Sequence, residues 1–207
     1  MRIEADRDVL LKGIGIADSA ISSKNVSTIL LNCLFRVTKS SIVISATDNE
    51  IGIRTRIDCN SEGDHSFTLN GKKLSGILKE LPKGEVSLDV GDNFVVSITS
   101  KNVKGNYRLV GTAKGEYPEI PVFEDESAIE IDQQLFRDMI RKVLYAAATD
   151  LVKPAFNGVY FVSEEAGRIT AVATDSKRLS LASIRIANDV KIDEGIIVPL
   201  KTIHEII

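Results

Sequence analysis

Residues 67–78, FTLNGKKLSGIL, carry the same apolar pattern as residues 196–207, IIVPLKTIHEII, and this echo decides how the rest of the chain is read. Working outward from it, other pairs fall into line. Ile3, Glu4 and Asp6 recur as Ile129, Glu130 and Asp132, Asn32 recurs as Asn157, and Thr47-Asp48 recurs as Thr174-Asp175. The spacings are 126 (Ile3 to Ile129), 125 (Asn32 to Asn157), 127 (Thr47 to Thr174) and 129 (Phe67 to Ile196). Short words matching by chance would not keep their order at so constant a spacing, so the chain reads as an internal repeat.

Within the first copy, Asp6 reads as an N-cap, followed at helical spacing by Leu10, Ile14, Ala17 and Ile21. Period two then takes over. Leu31, Cys33, Phe35 and Val37 fall on one side with Asn32, Arg36 and Thr38 on the other, SIVISATD follows, and Ile51 to Cys59 alternates again, the pattern of antiparallel strands with one wet face. His65 to Leu69 is a further strand, and Gly71 to Leu81 a second helix stopped by Pro82 and Gly84. EVSLDV, NFVVSI and NYRLV complete an α+β unit with two helices on one face of antiparallel sheet. The Pro-rich stretch Gly115 to Ala128 reads as a linker, with a boundary at Asp125. The domains are therefore expected at 1–125 and 126–207, the second lacking counterparts of the last three strands and so left with unpaired strand edges.

Composition limits function. The chain has 26 Lys and Arg against 29 Asp and Glu, and no apolar run near the roughly 20 residues of a membrane helix, so a cytoplasmic protein with no membrane partner is expected. Its two cysteines, Cys33 and Cys59, lie in alternating apolar stretches and read as buried reduced thiols. Net charge gives no hint of nucleic acid, but its distribution does. Lys12 falls opposite Leu10 on the first helix, and Lys72 and Lys79 opposite Leu74 on the second. In the second copy Arg137 and Arg141 lie one turn apart, Lys201 takes the place of Lys72, and Lys24 adds a loop charge. Basic faces on both copies of an acidic chain fit a surface that follows a phosphate backbone without reading bases.

No catalytic site, metal site or cofactor is expected. Asp48 and Asp175 each follow a strand and precede a turn, which makes them turn caps rather than metal ligands. His65 and His204 have no partner at useful spacing, and Gly13 and Gly15 lack the strand context of a dinucleotide loop.

MRIEADRDVLLKG (1–13), ATDNEIGIRTRI (46–57), NGKKLSGILKELP (70–82), EYPEIP (116–121), FNGVYF (156–161), VATDSKRLSLAS (172–183) and IIVPLK (196–201), in this order, resemble the bacterial DNA polymerase III β subunit, the replicative sliding-clamp family. The resemblance implies a DNA-clamp fold with three similar domains per subunit, the third absent here, and two subunits closing head to tail around double-stranded DNA. The function it implies is that of a non-catalytic processivity factor. Its partners would be the replicative polymerase subunit, the clamp loader and repair proteins, all held through linear peptide motifs. Carried over by position, Lys12, Lys24, Lys72, Lys79, Arg137, Arg141 and Lys201 face DNA, while Asp150 replaces an amide that often contacts it. Phe156, Thr174, Ser176, Lys177, Arg178 and Leu179 form the peptide pocket, where Ser176 and Lys177 depart from the commoner Gly and His. Lys73, Tyr107 and Leu109 match the subunit interface, so with the third domain missing this chain is expected to be a monomeric fragment of a homodimer. The alternatives are a standalone peptide-binding module without DNA function, and a metal-dependent hydrolase built on Asp48 or Asp175.

Overall fold

A computed structural model describes residues 1–21, 27–121, 129–150, 154–163, 165–187 and 194–207. The chain divides into two compact units, 1–121 and 122–207, and the expected boundary at Asp125 lies outside the described residues. No described helix is long and apolar enough to cross a membrane.

In the first unit, β1 (Arg2–Asp6) runs into α1 (Arg7–Asp18), and β2 (Asn32–Val37), β3 (Ser41–Thr47), β4 (Gly52–Asp58) and the two-residue β5 (Asn60–Ser61) follow. Then come β6 (His65–Asn70), α2 (Gly71–Glu80), β7 (Glu85–Val90), β8 (Val95–Ser100), β9 (Val103–Val110) and the short β10 (Thr112–Ala113). They form two five-stranded antiparallel sheets, ordered β5-β1-β7-β8-β9 and β10-β6-β2-β3-β4. The Asp6 carboxylate accepts the N–H groups of Asp8 and Val9, and the Asn70 side chain that of Lys73, so each helix starts on a side-chain cap. Leu10, Ile14 and Ala17 of α1 and Leu74 and Leu78 of α2 are buried with Ile3, Leu88 and Ile98 of one sheet and Cys33, Phe35, Ile44 and Phe67 of the other.

Two elements differ from the sequence reading. The lead-in Arg2–Asp6 is a strand, pairing with β7 through five residues. The stretch after Gly115 is no free linker at its start: Tyr117 is buried, and its hydroxyl accepts the N–H of Thr47 at 3.1 Å. Ile120 packs against Gly52, whose missing Cβ leaves room for it. One aromatic and one aliphatic anchor thus tie down a segment whose composition reads as a spacer.

In the second unit, α3 (Gln133–Leu144), β11 (Gly158–Val162), β12 (Arg168–Thr174), β13 (Leu179–Arg185), β14 (Ile196–Pro199) and α4 (Leu200–Ile206) build a sheet ordered β13-β12-β11-β14. That is the order β4-β3-β2-β6 of the first unit. The register repeats as well, with Thr174 opposite Leu179 as Thr47 is opposite Gly52, and Gly158 opposite Pro199 as Asn32 is opposite Asn70. This register corrects one anchor. Gly158, not Asn157, stands in the place of Asn32, and the two amides do different work: Asn32 donates to Thr68 Oγ1, Asn157 to the Ala148 carbonyl.

The core of the second unit is open on one side. Ile129, Ile131, Phe136, Phe161, Ile169, Ile196 and Val198 line a wholly apolar groove of about 180 Å3. Their counterparts in the first unit, Ile3, Ala5, Leu10, Phe35, Ile42, Phe67 and Leu69, are all buried. The difference is the sheet of β5, β1, β7, β8 and β9, which has no counterpart among the described residues of the second unit.

Candidate functional site

The turn between β12 and β13 is built by its own polar side chains. Thr174 Oγ1 donates to the Arg178 carbonyl at 2.7 Å and accepts the Ser176 N–H at 3.1 Å, while Asp175 Oδ1 accepts the N–H groups of Lys177 and Arg178, each at 3.0 Å. The turn between β3 and β4 is the same in atomic detail. Thr47 Oγ1 donates to the Ile51 carbonyl at 2.8 Å and accepts the Asn49 N–H at 3.0 Å, and Asp48 Oδ1 accepts from Glu50 and Ile51 at 3.1 and 3.0 Å. Asn49 and Ser176 both take the left-handed conformation, with φ of 75° and 74°. Both aspartates are therefore turn caps, their Oδ1 atoms committed to backbone N–H groups.

What the matching turns carry is different. Ile51 is buried, whereas Arg178 in its place is exposed. The Arg178 Nε–H donates to Asp175 Oδ2 at 2.9 Å, and its guanidinium carbon lies 5.6 Å from the centre of the Tyr145 ring. The backbone N–H of Lys177, then that of Arg178 and the Arg178 guanidinium, hold the Asp175 carboxyl below the usual range against the opposing effect of burial.

Arg178 and Lys177 stand on the rim of a cleft of about 570 Å3 in the second unit. Leu144, Ala147, Ala148 and Leu200 supply its apolar surface, and Arg141, Tyr145, Asp150 and His204 also border it. Of the six residues expected in a peptide pocket, Lys177 and Arg178 line this cleft directly. Thr174 and Ser176 form the turn behind them. Leu179 is exposed at the start of β13, and Phe156 is half-buried in a 3-10 turn whose carbonyl accepts the Ala148 N–H. Tyr145 and Leu200 were not singled out from sequence, and His204 was set aside there. An aromatic residue ending α3 off the buried stripe of Met139, Ile140 and Val143 was the one signal for Tyr145.

The basic helix positions are placed unevenly. Lys12, Lys72, Lys79 and Arg141 are exposed, Arg137 and Lys201 are half-buried, and Lys24 lies outside the described residues. The Arg137 Nε is buried without a hydrogen-bond partner among the described residues. Lys72 and Lys201 hold the same place, second in α2 and in α4. The first helices match less well. Counting from their caps at Asp6 and Asp132, the residue in the place of Lys12 is Asp138, and Leu11 and Gly15 stand where Arg137 and Arg141 do. Burial raises the Asp18 carboxyl at the end of α1, with the Lys72 charge opposing it.

Of the expected interface residues, Lys73 and Leu109 line a second cleft, of about 510 Å3, together with Ile29, Asn70, Arg108 and Val110. Tyr107 is exposed on β9, whose outer edge has no neighbouring strand among the described residues.

Comparison with known proteins bears on both units. Residues 1–121 match the family model described as DNA polymerase III beta subunit, N-terminal domain, and residues 130–207 the one described as its central domain. The curated beta sliding clamp of Halalkalibacterium halodurans is 29% identical over an alignment of 217 residues that covers all of this chain and 56% of that protein. The crystal structure of the Caulobacter crescentus DNA polymerase sliding clamp superposes with a TM-score of 0.87 at 29% identity, over 99% of this chain and 56% of that one. A second structure of the Caulobacter crescentus clamp, described as holding polyethylene glycol in a region assigned to β-motif tethering, superposes at 0.85 with 27% identity, over 99% of this chain and 55% of that one. The chain thus spans a little over half the length of the relatives it matches.

Proposed function

The chain belongs to the DNA polymerase III β subunit family, and from that premise we propose that it acts in bacterial replication as part of a sliding clamp. Such a clamp encircles duplex DNA in the cytoplasm and tethers the replicative polymerase, the clamp loader and repair proteins by linear peptide motifs. The observation that carries this reading is the duplicated unit. Two copies of one strand order, each with a lysine second in the helix after its last matched strand, carry the same positive charge at the same place in each unit. Contacts of that kind neutralise phosphates without reading bases, so a protein that also encloses the duplex can slide. The role needs no catalytic group in the clamp itself.

On this reading Lys12, Lys24, Lys72, Lys79, Arg137, Arg141 and Lys201 face the DNA. Lys73, Tyr107, Leu109 and the open edge of β9 meet a second subunit in the full-length homodimer. The cleft beside Lys177 and Arg178, with Phe156, Thr174, Ser176 and Leu179 around it, takes the peptide motifs: its apolar floor suits hydrophobic anchors and its polar rim the extended main chain.

Fluorescence anisotropy with a labelled duplex of arbitrary sequence tests the DNA side. Weak binding is expected, with log affinity falling linearly against log salt. Replacing Lys12, Lys72 and Arg137 together by Gln reduces the slope by about one for each phosphate that the variant no longer neutralises. A triple variant that binds as tightly, with the same salt slope, refutes the DNA-facing assignment.

A further inference from the structure

The peptide cleft contains one side chain held more firmly than its exposure requires. Arg178 is exposed, yet its Nε–H is committed to Asp175 Oδ2 at 2.9 Å and its guanidinium lies over the Tyr145 ring at 5.6 Å, within cation–π range. Neither Nη group carries a hydrogen bond among the described residues, which leaves up to four N–H donors in a fixed fork beside the cleft.

The first unit supplies an internal control. Its turn has the same backbone hydrogen bonds, yet its fifth residue is the buried Ile51, and Ser19 ends α1 where Tyr145 ends α3. The turn by itself therefore needs neither the arginine nor the ring. Resting on the peptide-tethering reading above, we propose that Tyr145 and Asp175 are positioning residues that fix the Arg178 guanidinium to donate to main-chain carbonyls or a carboxylate of a bound linear peptide. A held guanidinium loses little side-chain entropy on binding, so its hydrogen bonds count nearly in full toward affinity. The cleft favours a peptide over a phosphate backbone. Its floor of Leu144, Ala147, Ala148 and Leu200 takes apolar side chains, which a phosphate backbone does not offer.

Three variants of the 207-residue chain separate positioning from turn-building. Asp175→Asn keeps an Oδ1 for the Lys177 and Arg178 N–H groups but presents an amide where Oδ2 accepted Nε–H. Tyr145→Leu removes the ring while keeping an apolar side chain, and Tyr145→Phe restores the ring. A fluorescein-labelled pentapeptide with leucine and phenylalanine anchors is the probe, with thermal unfolding as the check on folding. Asp175→Asn and Tyr145→Leu are each expected to weaken binding about threefold, and Tyr145→Phe to leave it within about twofold. In an Arg178→Ala background the first two should have no further effect, because a positioning residue acts only through the residue it positions. Equal losses with and without Arg178, or losses seen with a duplex DNA probe and not with the peptide, overturn the proposal.

A ligand-free measurement stands beside it. The Arg178 Nε–H signal in a proton–nitrogen spectrum should lie apart from those of solvated arginines and merge with them in both Asp175→Asn and Tyr145→Leu. If the wild-type chain binds no peptide while this signal behaves so, the tethering reading fails and the positioning stands. A signal indifferent to both substitutions sinks the positioning itself.

Discussion

The Tyr117 hydroxyl accepts the backbone N–H of Thr47 at 3.1 Å, across 70 residues of chain, and the two are buried together beside Cys33. Thr47 ends β3 and starts the first of the two matching turns, so this bond fastens the end of the first unit to the last residue of an interior strand. Tyr117→Phe keeps the ring and leaves the Thr47 N–H without its acceptor. Because an unsatisfied buried donor costs about 1–3 kcal/mol, urea unfolding of the variant should show a loss of that size with an unchanged m-value.

The same phenol makes a statement about pH. Burial is the main cause that pushes the Tyr117 hydroxyl from 10.0 up to about 12. A folded-state value above the unfolded one means that the stabilisation is complete below pH 10 and is lost as pH rises toward 12. Absorbance titration at a phenolate wavelength should find one of the four tyrosines ionising last in the folded chain, and Tyr117→Phe should remove that late step. A late step that survives the substitution rules out Tyr117 as its source.

Phe35 and Phe67 face each other across the β2–β6 pair, both wholly buried, their rings 5.3 Å apart and only 3° from parallel. Truncating either removes transfer energy and leaves a cavity that a sheet cannot collapse to fill. Phe67→Ala should lower the stability of the first unit by about 3–5 kcal/mol. Phe67→Leu, which keeps most of the volume, should cost clearly less. Chemical denaturation decides, and comparable losses for the two variants would mean that cavity volume is not what matters there.

How legible this was from sequence depends on whether the signal was local. Asp6, Asn70 and Asp132 cap their helices as their residue types imply, and the apolar stripes behind them point inward, because caps and helical periods are written within a few residues. Leu135 is the exception. It lies one turn before the buried Met139 yet is exposed, since the apolar stripe runs through Phe136, Met139, Ile140 and Val143 instead, and Arg137 is half-buried. Strand β1 was missed because only Ile3 and Ala5 mark it, and its pairing partner β7 begins about 80 residues later. Tyr117 and Tyr145 were missed for the same physical reason: each is defined by a partner 70 and 33 residues away, Thr47 and Arg178, that no local pattern announces. Asn157 misled in the opposite sense, since an identical residue one step out of register looks like a match until the strand pairing is seen.

Cys33 and Cys59 should behave differently toward alkylating and disulfide reagents. Burial, with the Asp18 charge adding to it, pushes the Cys33 thiol up to about 12, so almost no thiolate forms and no path leads to it. Cys59 is only half-buried, and although burial and Asp58 raise it too, it remains reachable. A thiol-reactive chromophore at pH 8 should therefore release one equivalent quickly from the native chain and the second only on unfolding. Two fast equivalents would mean that the sheet around Cys33 opens readily.

The paired turns allow a substitution to be tested twice in one molecule. Asn49 and Ser176 occupy the same left-handed position, which asparagine tolerates better than serine because its side chain can hydrogen-bond locally, and which glycine adopts without steric penalty. Relief of strain is thus greater at Ser176, while the entropy glycine adds to the unfolded chain is the same at both places. Ser176→Gly should therefore be neutral or stabilising, by up to about 1 kcal/mol, and Asn49→Gly closer to neutral or slightly destabilising. Valine, β-branched and intolerant of positive φ, should destabilise at either position by more than about 1 kcal/mol. Neither glycine removes a hydrogen bond of the turn, since Ser176 and Asn49 each bond to it through the backbone N–H. Thermal unfolding of the four variants would settle it: a Ser176→Gly chain less stable than Asn49→Gly would show that the serine side chain, and not its backbone angle, is what the second turn depends on.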